Sequence, residues 1–549
     1  MLNWRLWLLM THRWMGIAIG VSFVIWSLSG IVLLYYGMPH LTAAERLTRL
    51  PVLDAAAIRV SPAEAAAKID GEPFRIRVSM LGDRPVYRFN TGRVFGLWTL
   101  VYADDGAKFA GFDAAGALAW ARDFVPEAAG TMTYDAYLTA PDLFTHNPAL
   151  QSHFPLHRIA LNDAAGTLYY VSAHSGEAVM KTDRAGRWLG GSGYLVHTLF
   201  FWRQHTWWGQ VLQALSWGGL AMAVLGVILG VTRFALTPRF RQRGALYRTP
   251  YTGLMKWHHY AGLIFAAVVL TWAFSGVASL NVIPGIRETL YTPAQITAGG
   301  RSVQGEGPRL DVGELLPGNV RAAAAIVGRD FAVKELEAVR FDGEQYWLAY
   351  RPPTADEARA WKSFGVLDFL VPSLKQEHRF VSAWNPAAGA FERFPDDAML
   401  AAAEHAMPNV PVVESKWLHD FDDYYYDTVA SFDLGTMKTV KTLPVLRVKY
   451  ADAAGTWLYL TPSHGQVMKS ESLDRANRWG YYGLHGLDFA FLLHRRPLWD
   501  VVAVALLLGV AVVSTTTLVP MLRRLKRHAL RLHQRVTRSR LAPAPQARR

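Results

Sequence analysis

The stretch THRWMGIAIGVSFVIWSLSG, residues 11–30, returns without a gap as WHHYAGLIFAAVVLTWAFSG at residues 257–276. Five of the twenty positions are identical: His12/His258, Gly16/Gly262, Trp26/Trp272, Ser29/Ser275 and Gly30/Gly276. At about 100° per residue, the histidine, the two glycines and the tryptophan of the first copy fall within an arc of about 80° on one helix face. The two stretches therefore predict two helices built on one plan, each with a histidine at its start.

Four apolar runs of the chain are long enough to cross a membrane. Each holds about twenty apolar residues, the length that a hydrocarbon core about 30 Å thick requires. The predicted spans are residues 14–36, 207–232, 257–282 and 498–520. Tryptophan and tyrosine cluster at their ends, where amphipathic rings favour the membrane interface. The first run is too long for the apolar part of a signal peptide and no small-residue cleavage site follows it, so we expect an uncleaved anchor and an integral membrane protein.

The positive charge is concentrated in three short segments next to these runs. The net charge is +13, and residues 1–13, 233–256 and 521–549 hold two, six and ten Lys or Arg with no acidic residue. By the positive-inside rule these segments face the cytoplasm, and the large segments 37–206 and 283–497 lie outside. The basic segments are expected to touch anionic lipid headgroups rather than nucleic acid.

The absence of cysteine narrows the chemistry that the protein can perform. With no cysteine there is no disulfide, no iron–sulfur cluster and no covalent haem attachment. A redox function would need a non-covalent cofactor held by histidine, methionine or tyrosine. No dinucleotide-binding glycine motif, phosphate-binding loop or nucleophile elbow is present either, so electrons would come from a membrane quinol or a separate cytoplasmic reductase.

The large outer segments also repeat. PLHRIALNDAAGTLYYVSAHSG at residues 155–176 parallels PVLRVKYADAAGTWLYLTPSHG at 444–465, and DRAGRW at 183–188 parallels DRANRW at 474–479. The sequence thus predicts a four-helix membrane bundle made from a tandem two-span repeat, with its symmetry axis along the membrane normal. The predicted outer domains, 37–206 and 283–497, are α+β.

Local patterns support the α+β assignment of the outer domains. VSPAEAAAKI, residues 60–69, predicts a helix capped by Ser61, with Glu64 three residues later. RIRVSM and RPVYRFN alternate in the manner of half-buried strands, as do VLRVKY and TWLYLTP, and Gly-containing turns separate them.

These motifs resemble a known family. The strand–DAAGT–strand segments ending in HSGEAVMK and HGQVMK resemble PepSY modules, and HRWMG at His12 together with YYGLHGLDFAFLLHRRPLWD at residues 481–500 resembles the PepSY-associated transmembrane family. Some members of that family are similar to ferric-siderophore reductases with four spans and two b-type haems. The resemblance therefore implies a bacterial inner membrane, periplasmic outer domains and bis-histidine haem b as cofactor.

Histidines that share a haem must lie at the same depth of the bilayer on facing helices. At the cytoplasmic side this predicts the pair His12 and His258, with His259 as an alternate. At the outer side the repeat predicts the pair His197 and His485. The alternates there are His205 and His494, whose local spacing differs between the two copies.

An acidic and aromatic run offers a second type of site. HDFDDYYYDT, residues 419–428, holds Asp420, Asp422 and Asp423, and carboxylate and phenol oxygens suit hard cations such as Fe³⁺ or Ca²⁺. The structural alternative, a helix start or a loop that packs its tyrosines against the outer domain, is favoured here.

Together these features predict transmembrane electron transfer through b-type haem, with reduction of a ferric siderophore or another iron or metal complex outside. This would make the protein an oxidoreductase. The alternative is a non-redox PepSY membrane protein that binds a protein or peptide partner or regulates a protease. A transporter is disfavoured because the spans lack buried acids and lysines, and because no span is expected to be interrupted within the membrane.

Overall fold

The computed structural model of the protein describes residues 4–91, 97–146, 148–280, 291–300, 310–354, 357, 377–426, 441–493, 495 and 497–541. Its chain forms two compact units. The helical unit consists of Met1–Leu34, Ser192–Ile286 and Asn477–Arg549. The sheet unit consists of Tyr35–Gly191 and Arg287–Ala476.

The α-helices of the described residues alternate between the two units along the chain. They are α1 (Trp4–Leu33), α2 (Ala43–Arg49), α3 (Pro62–Ala66), α4 (Ala114–Phe124), α5 (Pro148–Gln151), α6 (Arg184–Gly190), α7 (Trp208–Arg233), α8 (Leu254–Ile264), α9 (Ala266–Ala278), α10 (Pro293–Thr297), α11 (Pro317–Val327), α12 (Asp396–Ala406), α13 (Ser472–Asn477), α14 (Leu484–Gly486), α15 (Ala490–Leu493) and α16 (Leu498–Leu541).

Nearly all of the strands belong to the sheet unit. They are β1 (Arg75–Leu81), β2 (Arg84–Asn90), β3 (Trp98–Tyr102), β4 (Thr133–Leu138), β5 (Leu156–Ala160), β6 (Leu168–Ser172), β7 (Ala178–Thr182), β8 (Phe240–Gln242), β9 (Ala245–Tyr247), β10 (Glu335–Phe341), β11 (Glu344–Tyr350), β12 (His378–Ser382), β13 (Ala390–Phe391), β14 (Val412–Leu418), β15 (Val445–Tyr450), β16 (Trp457–Thr461) and β17 (Gln466–Ser470). The short hairpin β8–β9 is the exception, because it lies in the helical unit.

Within its described residues, the helical unit contains three helices long and apolar enough to cross a membrane, namely α1, α7 and α16. Helices α8 and α9 add a fourth span if they are counted together, but they are bent by 70° at a break. The expectation that no span is interrupted is therefore wrong for the third span. The break falls at Phe265. Its ring packs against α16 at Gly509, where a Cβ would lie only 2.2 Å from the ring, so this position has no room for a side chain. One of the two arguments against a transporter is lost with this finding.

The sheet unit is built around one seven-stranded sheet. Its strand order is β13-β12-β11-β10-β1-β2-β3, so the hairpins β1–β2 and β10–β11 meet edge to edge, with β1 antiparallel to β10. Two four-stranded sheets, β4–β7 and β14–β17, complete the unit. The strands predicted from alternation are confirmed as β1, β2, β15 and β16.

The predicted helix cap at Ser61 is confirmed. Ser61 Oγ accepts a hydrogen bond from the backbone N–H of Glu64 at 3.0 Å, and the Glu64 carboxylate accepts one from the backbone N–H of Ser61 at 2.8 Å. This reciprocal pair satisfies two backbone donors that would otherwise have no partner at the start of α3.

The junction between β1 and β10 is held by charges of opposite sign. Arg75 of β1 binds Glu337 of β10 at 2.8 Å, and Arg77 lies 3.5 Å from Glu335. Arg46 of α2 binds both oxygens of Glu335, at 2.9 and 2.6 Å. Because β1 supplies the arginines and β10 the glutamates, β1 pairs favourably with β10 and unfavourably with a second β1.

The same charges stabilise a buried carboxylate behind the sheet. Arg77 binds Glu177 at 2.7 Å, and both side chains are buried. Burial by itself raises the pKa of Glu177, but the positive charges of Arg77, Arg88 and Arg46 outweigh it and hold that pKa below its usual range. Burial lowers the pKa of Arg88 to about 10. The cluster is therefore an ion network in which each charge depends on its neighbours.

Removal of one carboxylate from this network is expected to destabilise the sheet unit. In Glu335→Gln, Arg46 loses the carboxylate that binds it through both oxygens and Arg77 keeps only Glu177. Loss of one partner of a buried ion pair costs about 3–5 kcal/mol. The matched control is Asp396→Asn, which removes an exposed ion pair with Arg393 and should cost about 1 kcal/mol or less. Thermal unfolding of the detergent-solubilised full chain measures both. Equal effects of the two substitutions would contradict the assignment.

Candidate functional site

Two histidines from different helices face each other at one end of the helical unit. The ring centroids of His12 on α1 and His258 on α8 lie 6.4 Å apart, with 36° between the ring planes. His12 Nδ1 lies 3.1 Å from the carbonyl oxygen of Met222 on α7. His258 Nδ1 lies 2.9 Å from the carbonyl oxygen of Val513 on α16. We call these two histidines the first pair.

The partners of the first pair determine which ring nitrogen carries the proton. A carbonyl oxygen only accepts hydrogen bonds, so each Nδ1 must be the donor. The neutral ring then has its lone pair on Nε2. No residue in the described part of the chain hydrogen-bonds the Nε2 of His12 or His258. Each ring is thus held in the tautomer that can bind a metal through Nε2.

A second pair is formed by His197 and His485. Their ring centroids lie 6.2 Å apart and their planes are nearly perpendicular, at 80°. His197 Nδ1 lies 3.2 Å from Ser29 Oγ of α1, and His485 Nδ1 lies 3.0 Å from Ser275 Oγ of α9.

The two serines fix the same tautomer in the second pair. Ser29 Oγ donates its hydrogen to the carbonyl oxygen of Ile25 at 2.7 Å, and Ser275 Oγ donates to that of Trp272 at 3.2 Å. A hydroxyl has one hydrogen, so a serine that donates it to its own helix accepts from the Nδ1 of its histidine. With the serines as acceptors, His197 and His485 take the same tautomer as the first pair, with Nε2 unprotonated.

The backbone before His197 and His485 is alike in the two copies. A π-helical turn precedes each histidine, at Gly191–Leu195 and at Arg478–Gly483. Such turns occur frequently at functional sites. A leucine in the left-handed conformation follows each histidine by two residues, Leu199 with φ 50° and Leu487 with φ 54°.

Two tryptophans hold the backbone just after these histidines, at the left-handed leucines. Trp208 Nε1 donates to the carbonyl oxygen of Leu199 at 2.9 Å, and Trp499 Nε1 donates to that of Leu487 at 3.2 Å. Trp208 and Trp499 begin or nearly begin α7 and α16. The same hydrogen bond thus ties each histidine turn to the helix that follows it.

The residues identical in residues 11–30 and 257–276 lie around the histidines. In the first copy, Trp26 Nε1 donates to the carbonyl oxygen of His197 at 2.9 Å. A Cβ added at Gly30 would lie 3.7 Å from His197 Cε1, so the ring packs on the glycine backbone. In the second copy, the indole nitrogen of Trp272 is buried without a hydrogen-bond partner. Among the described residues, Trp26 therefore binds the backbone of its histidine, whereas the equivalent Trp272 does not.

A glycine on α7 also makes room for His12. A Cβ added at Gly226 would lie 2.9 Å from His12 Cε1, closer than real Cβ contacts allow. The His12 ring can occupy this position because Gly226 has no side chain.

The separations within the two pairs fit a single metal ion between each pair of rings. A metal–imidazole bond is about 2 Å long and the ring nitrogen lies about 1 Å from the ring centroid, so two rings on opposite sides of one metal have centroids about 6 Å apart. The observed 6.4 and 6.2 Å match this value. With an unprotonated Nε2 on each ring, the residues present fit the axial ligands of a bis-histidine haem.

The alternate histidines have other surroundings. His259 is buried and both of its nitrogens are used: Nδ1 binds Thr249 Oγ1 at 2.6 Å and Nε2 binds the carbonyl oxygen of Gly230 at 2.9 Å. His205 is exposed and stacks on Trp207 at 5.0 Å. His494 lies outside the described residues. Among the residues that the structure describes, no second histidine ring pairs with His259 or His205.

The acidic run at residues 419–426 forms a closed hydrogen-bonded loop. Asp422 accepts from the backbone N–H of Tyr425 at 2.7 Å, from Arg447 at 2.9 Å and from the Tyr459 hydroxyl at 2.9 Å. Asp420 and Asp423 are exposed. Within the part of the chain that the structure describes, no group of three or more His, Cys, Asp or Glu is placed to hold a metal ion. The last two residues of the run lie outside the described residues.

Sequence reasoning missed the hydrogen-bond acceptors of the histidines. Ser29 and Ser275 were among the five identical positions, and their repetition at equal spacing was the signal that could have identified them. The carbonyl groups of Met222 and Val513 leave no such signal, because every residue has one.

The family comparison agrees with the motifs. The family model for the PepSY-associated TM region matches residues 9–394, more than half of the chain. No curated protein matches the chain. The family resemblance inferred from the sequence is thereby confirmed, and the helical unit is the membrane part of the protein. The chain belongs to the family of proteins with a PepSY-associated transmembrane region.

Proposed function

We propose that the protein carries electrons across a membrane through two b-type haems. His12 and His258 would be the axial ligands of one haem, and His197 and His485 those of the other. The observation that supports this most is the presence of two facing imidazole pairs whose four Nδ1 atoms are all bound to acceptors. Buried polar nitrogens are costly without partners. One metal between the two rings of each pair would give a partner to all four Nε2 atoms.

The two pairs lie far enough apart to form successive steps of one path. His12 and Ser29, the partner of His197, are 17 residues apart on α1. At about 1.5 Å per residue this corresponds to about 25 Å along the helix, close to the thickness of a hydrocarbon core. A bound haem would supply a one-electron carrier at each end of the span. The protein would position both and shield them from water.

The direction of transfer follows from the basic segments. Under the positive-inside rule, both termini and the loop 233–256 face the cytoplasm of a bacterial inner membrane, and the large domains are periplasmic. The first pair would then be the cytoplasmic one. It would receive electrons from a membrane quinol or a cytoplasmic reductase, and the second pair would pass them outward. We include in this proposal a tandem duplication of a span–domain–span unit with two PepSY-like outer domains.

The acceptor we propose is a ferric siderophore or another complex of iron or a similar metal. One electron converts Fe³⁺ to Fe²⁺, which binds hard oxygen ligands less tightly and so leaves the chelator more readily. This assignment of the acceptor rests on the family resemblance. A role restricted to binding a protein partner or regulating a protease would leave the four oriented histidines without a task.

Replacement of the histidines is expected to remove the haems one pair at a time. The purified, haem-replete protein should show sharp bis-imidazole b-haem bands on reduction with dithionite, and a pyridine haemochrome assay should give two haems per chain. The double variant His12→Ala/His258→Ala should keep one haem, and so should His197→Ala/His485→Ala. The matched control is His205→Ala, which alters an exposed histidine and should keep both. A colourless wild-type protein would refute the proposal.

A small change on α7 is expected to disturb the first pair alone. In Gly226→Ala the new methyl group would lie 2.9 Å from His12 Cε1 and displace the ring from its place opposite His258. Haem content should fall from two towards one per chain, with the remaining haem unchanged in its absorption bands. Gly209→Ala on the same helix is the control, because a Cβ there meets nothing within 4 Å. Equal haem content in the two variants would contradict the role of Gly226.

A further inference from the structure

We propose that Ser29 and Ser275 are positioning residues that set the ring orientation and the reduction potential of the outer haem. This inference rests on the haem-binding function proposed above. It assigns to two buried hydroxyls the task that backbone carbonyls perform in the first pair. Neither serine contacts the haem iron in this proposal, since each acts through the Nδ1 of its histidine.

The hydrogen-bond direction at the serines depends on their own helices. Each Oγ lies within hydrogen-bond distance of a carbonyl oxygen one turn earlier, and a hydroxyl that donates there presents its lone pairs to Nδ1. The serines are therefore acceptors in the neutral state of the histidine, and they keep the Nε2 lone pair directed away from themselves. An acceptor on Nδ1 makes the imidazole a more basic ligand, which stabilises the ferric state over the ferrous state.

The same hydrogen bonds hold the rings at their mutual angle. The ring planes of His197 and His485 are nearly perpendicular, at 80°, whereas those of His12 and His258 differ by 36°. A ring bound only at Nε2 can rotate about the metal–nitrogen bond, and a fixed acceptor at Nδ1 prevents this rotation. The serines, one on α1 and the other on α9, thus determine the angle between the outer rings.

At His197, the contact that orients the ring is different from the contact that holds the backbone. The backbone of His197 is held independently, because Trp26 Nε1 donates to its carbonyl oxygen at 2.9 Å. Loss of the Ser29 hydroxyl therefore removes the restraint on the ring and leaves the turn in place. The first pair has no serine on its Nδ1 atoms, so the midpoint potential and the ring orientation of its haem should not change.

The test compares Ser29→Ala, Ser275→Ala and their double variant with the wild type, using the full-length, haem-loaded protein. Ser27→Ala is the matched control, because Ser27 is also buried on α1 and donates to the carbonyl oxygen of Phe23 at 2.7 Å without contacting a histidine. Redox titration gives the midpoint potential of each haem. Electron paramagnetic resonance of the ferric protein distinguishes haems with nearly perpendicular imidazole planes from haems with more nearly parallel ones.

We expect the serine variants to change one haem only. Its midpoint potential should rise, by about 59 mV for each tenfold loss of ferric over ferrous preference, and the resonance of the perpendicular pair should shift or broaden. The other haem and the Ser27→Ala control should match the wild type. If Ser29→Ala loses the outer haem altogether, Ser29→Thr, which keeps a hydroxyl, should retain it, and failure of Ser29→Thr to do so would overturn the inference.

The two proposals fail in different ways. If the wild type and Ser27→Ala both lack haem, the proposed function is wrong. If both contain two haems but the serine variants keep wild-type potentials and resonances, the function stands and the role of the serines is wrong.

Discussion

The helical unit depends on one recurring interaction, the hydrogen bond from a buried histidine Nδ1 to an acceptor on another helix. An imidazole placed among apolar side chains loses its contacts with water, so each nitrogen needs a new partner. Met222 and Val513 provide that partner to the first pair through their backbone, and Ser29 and Ser275 provide it to the second pair through their side chains. These bonds link α1 to α7 and α8 to α16, and they link the histidine turns at His197 and His485 to α1 and α9. The same contacts that hold the bundle together thus orient the candidate ligands.

In the sheet unit, charged side chains determine which strands pair. Two hairpins of similar length meet at β1 and β10, and identical edges would pair with themselves as readily as with each other. Arginines on β1 and glutamates on β10 remove that ambiguity, and Arg46 adds a third element to the junction. Glu177 then requires Arg77 close by, because its burial would otherwise favour the neutral acid. Pairing specificity and the buried ion network are therefore one feature.

Sequence patterns that span a few residues predicted the helices and strands of this chain better than they predicted the contacts between distant residues. The capping residues Ser61 and Glu64 and the alternating strands could be read directly, because both signals lie within a few residues of sequence. The bend at Phe265 could not, since it accompanies the close approach of its ring to Gly509, more than two hundred residues away. The pairs His12/His258 and His197/His485 were predicted from the repeat, and their ring centroids lie 6.4 and 6.2 Å apart. Their acceptors on Met222 and Val513 could not be predicted, because a carbonyl group has no signature in the sequence.

Comparison of the two copies within one chain indicates which contacts the structure cannot vary. Across the β1–β10 junction the equivalent positions have opposite charges, and Trp26 is hydrogen-bonded where Trp272 is not. The two similar stretches thus differ in how they hold their surroundings. They agree, however, in each histidine, in the serine that contacts Nδ1 of His197 or His485, and in the left-handed leucine that follows each of these two histidines. Helix packing alone does not require a hydroxyl at Ser29 and Ser275, since alanine would fill the same space with fewer polar atoms to satisfy. Alanine would, however, leave Nδ1 of the neighbouring ring without a partner, so the hydroxyl both satisfies that nitrogen and fixes the direction of the ring. In the proposed function, this direction determines how Nε2 meets its ligand.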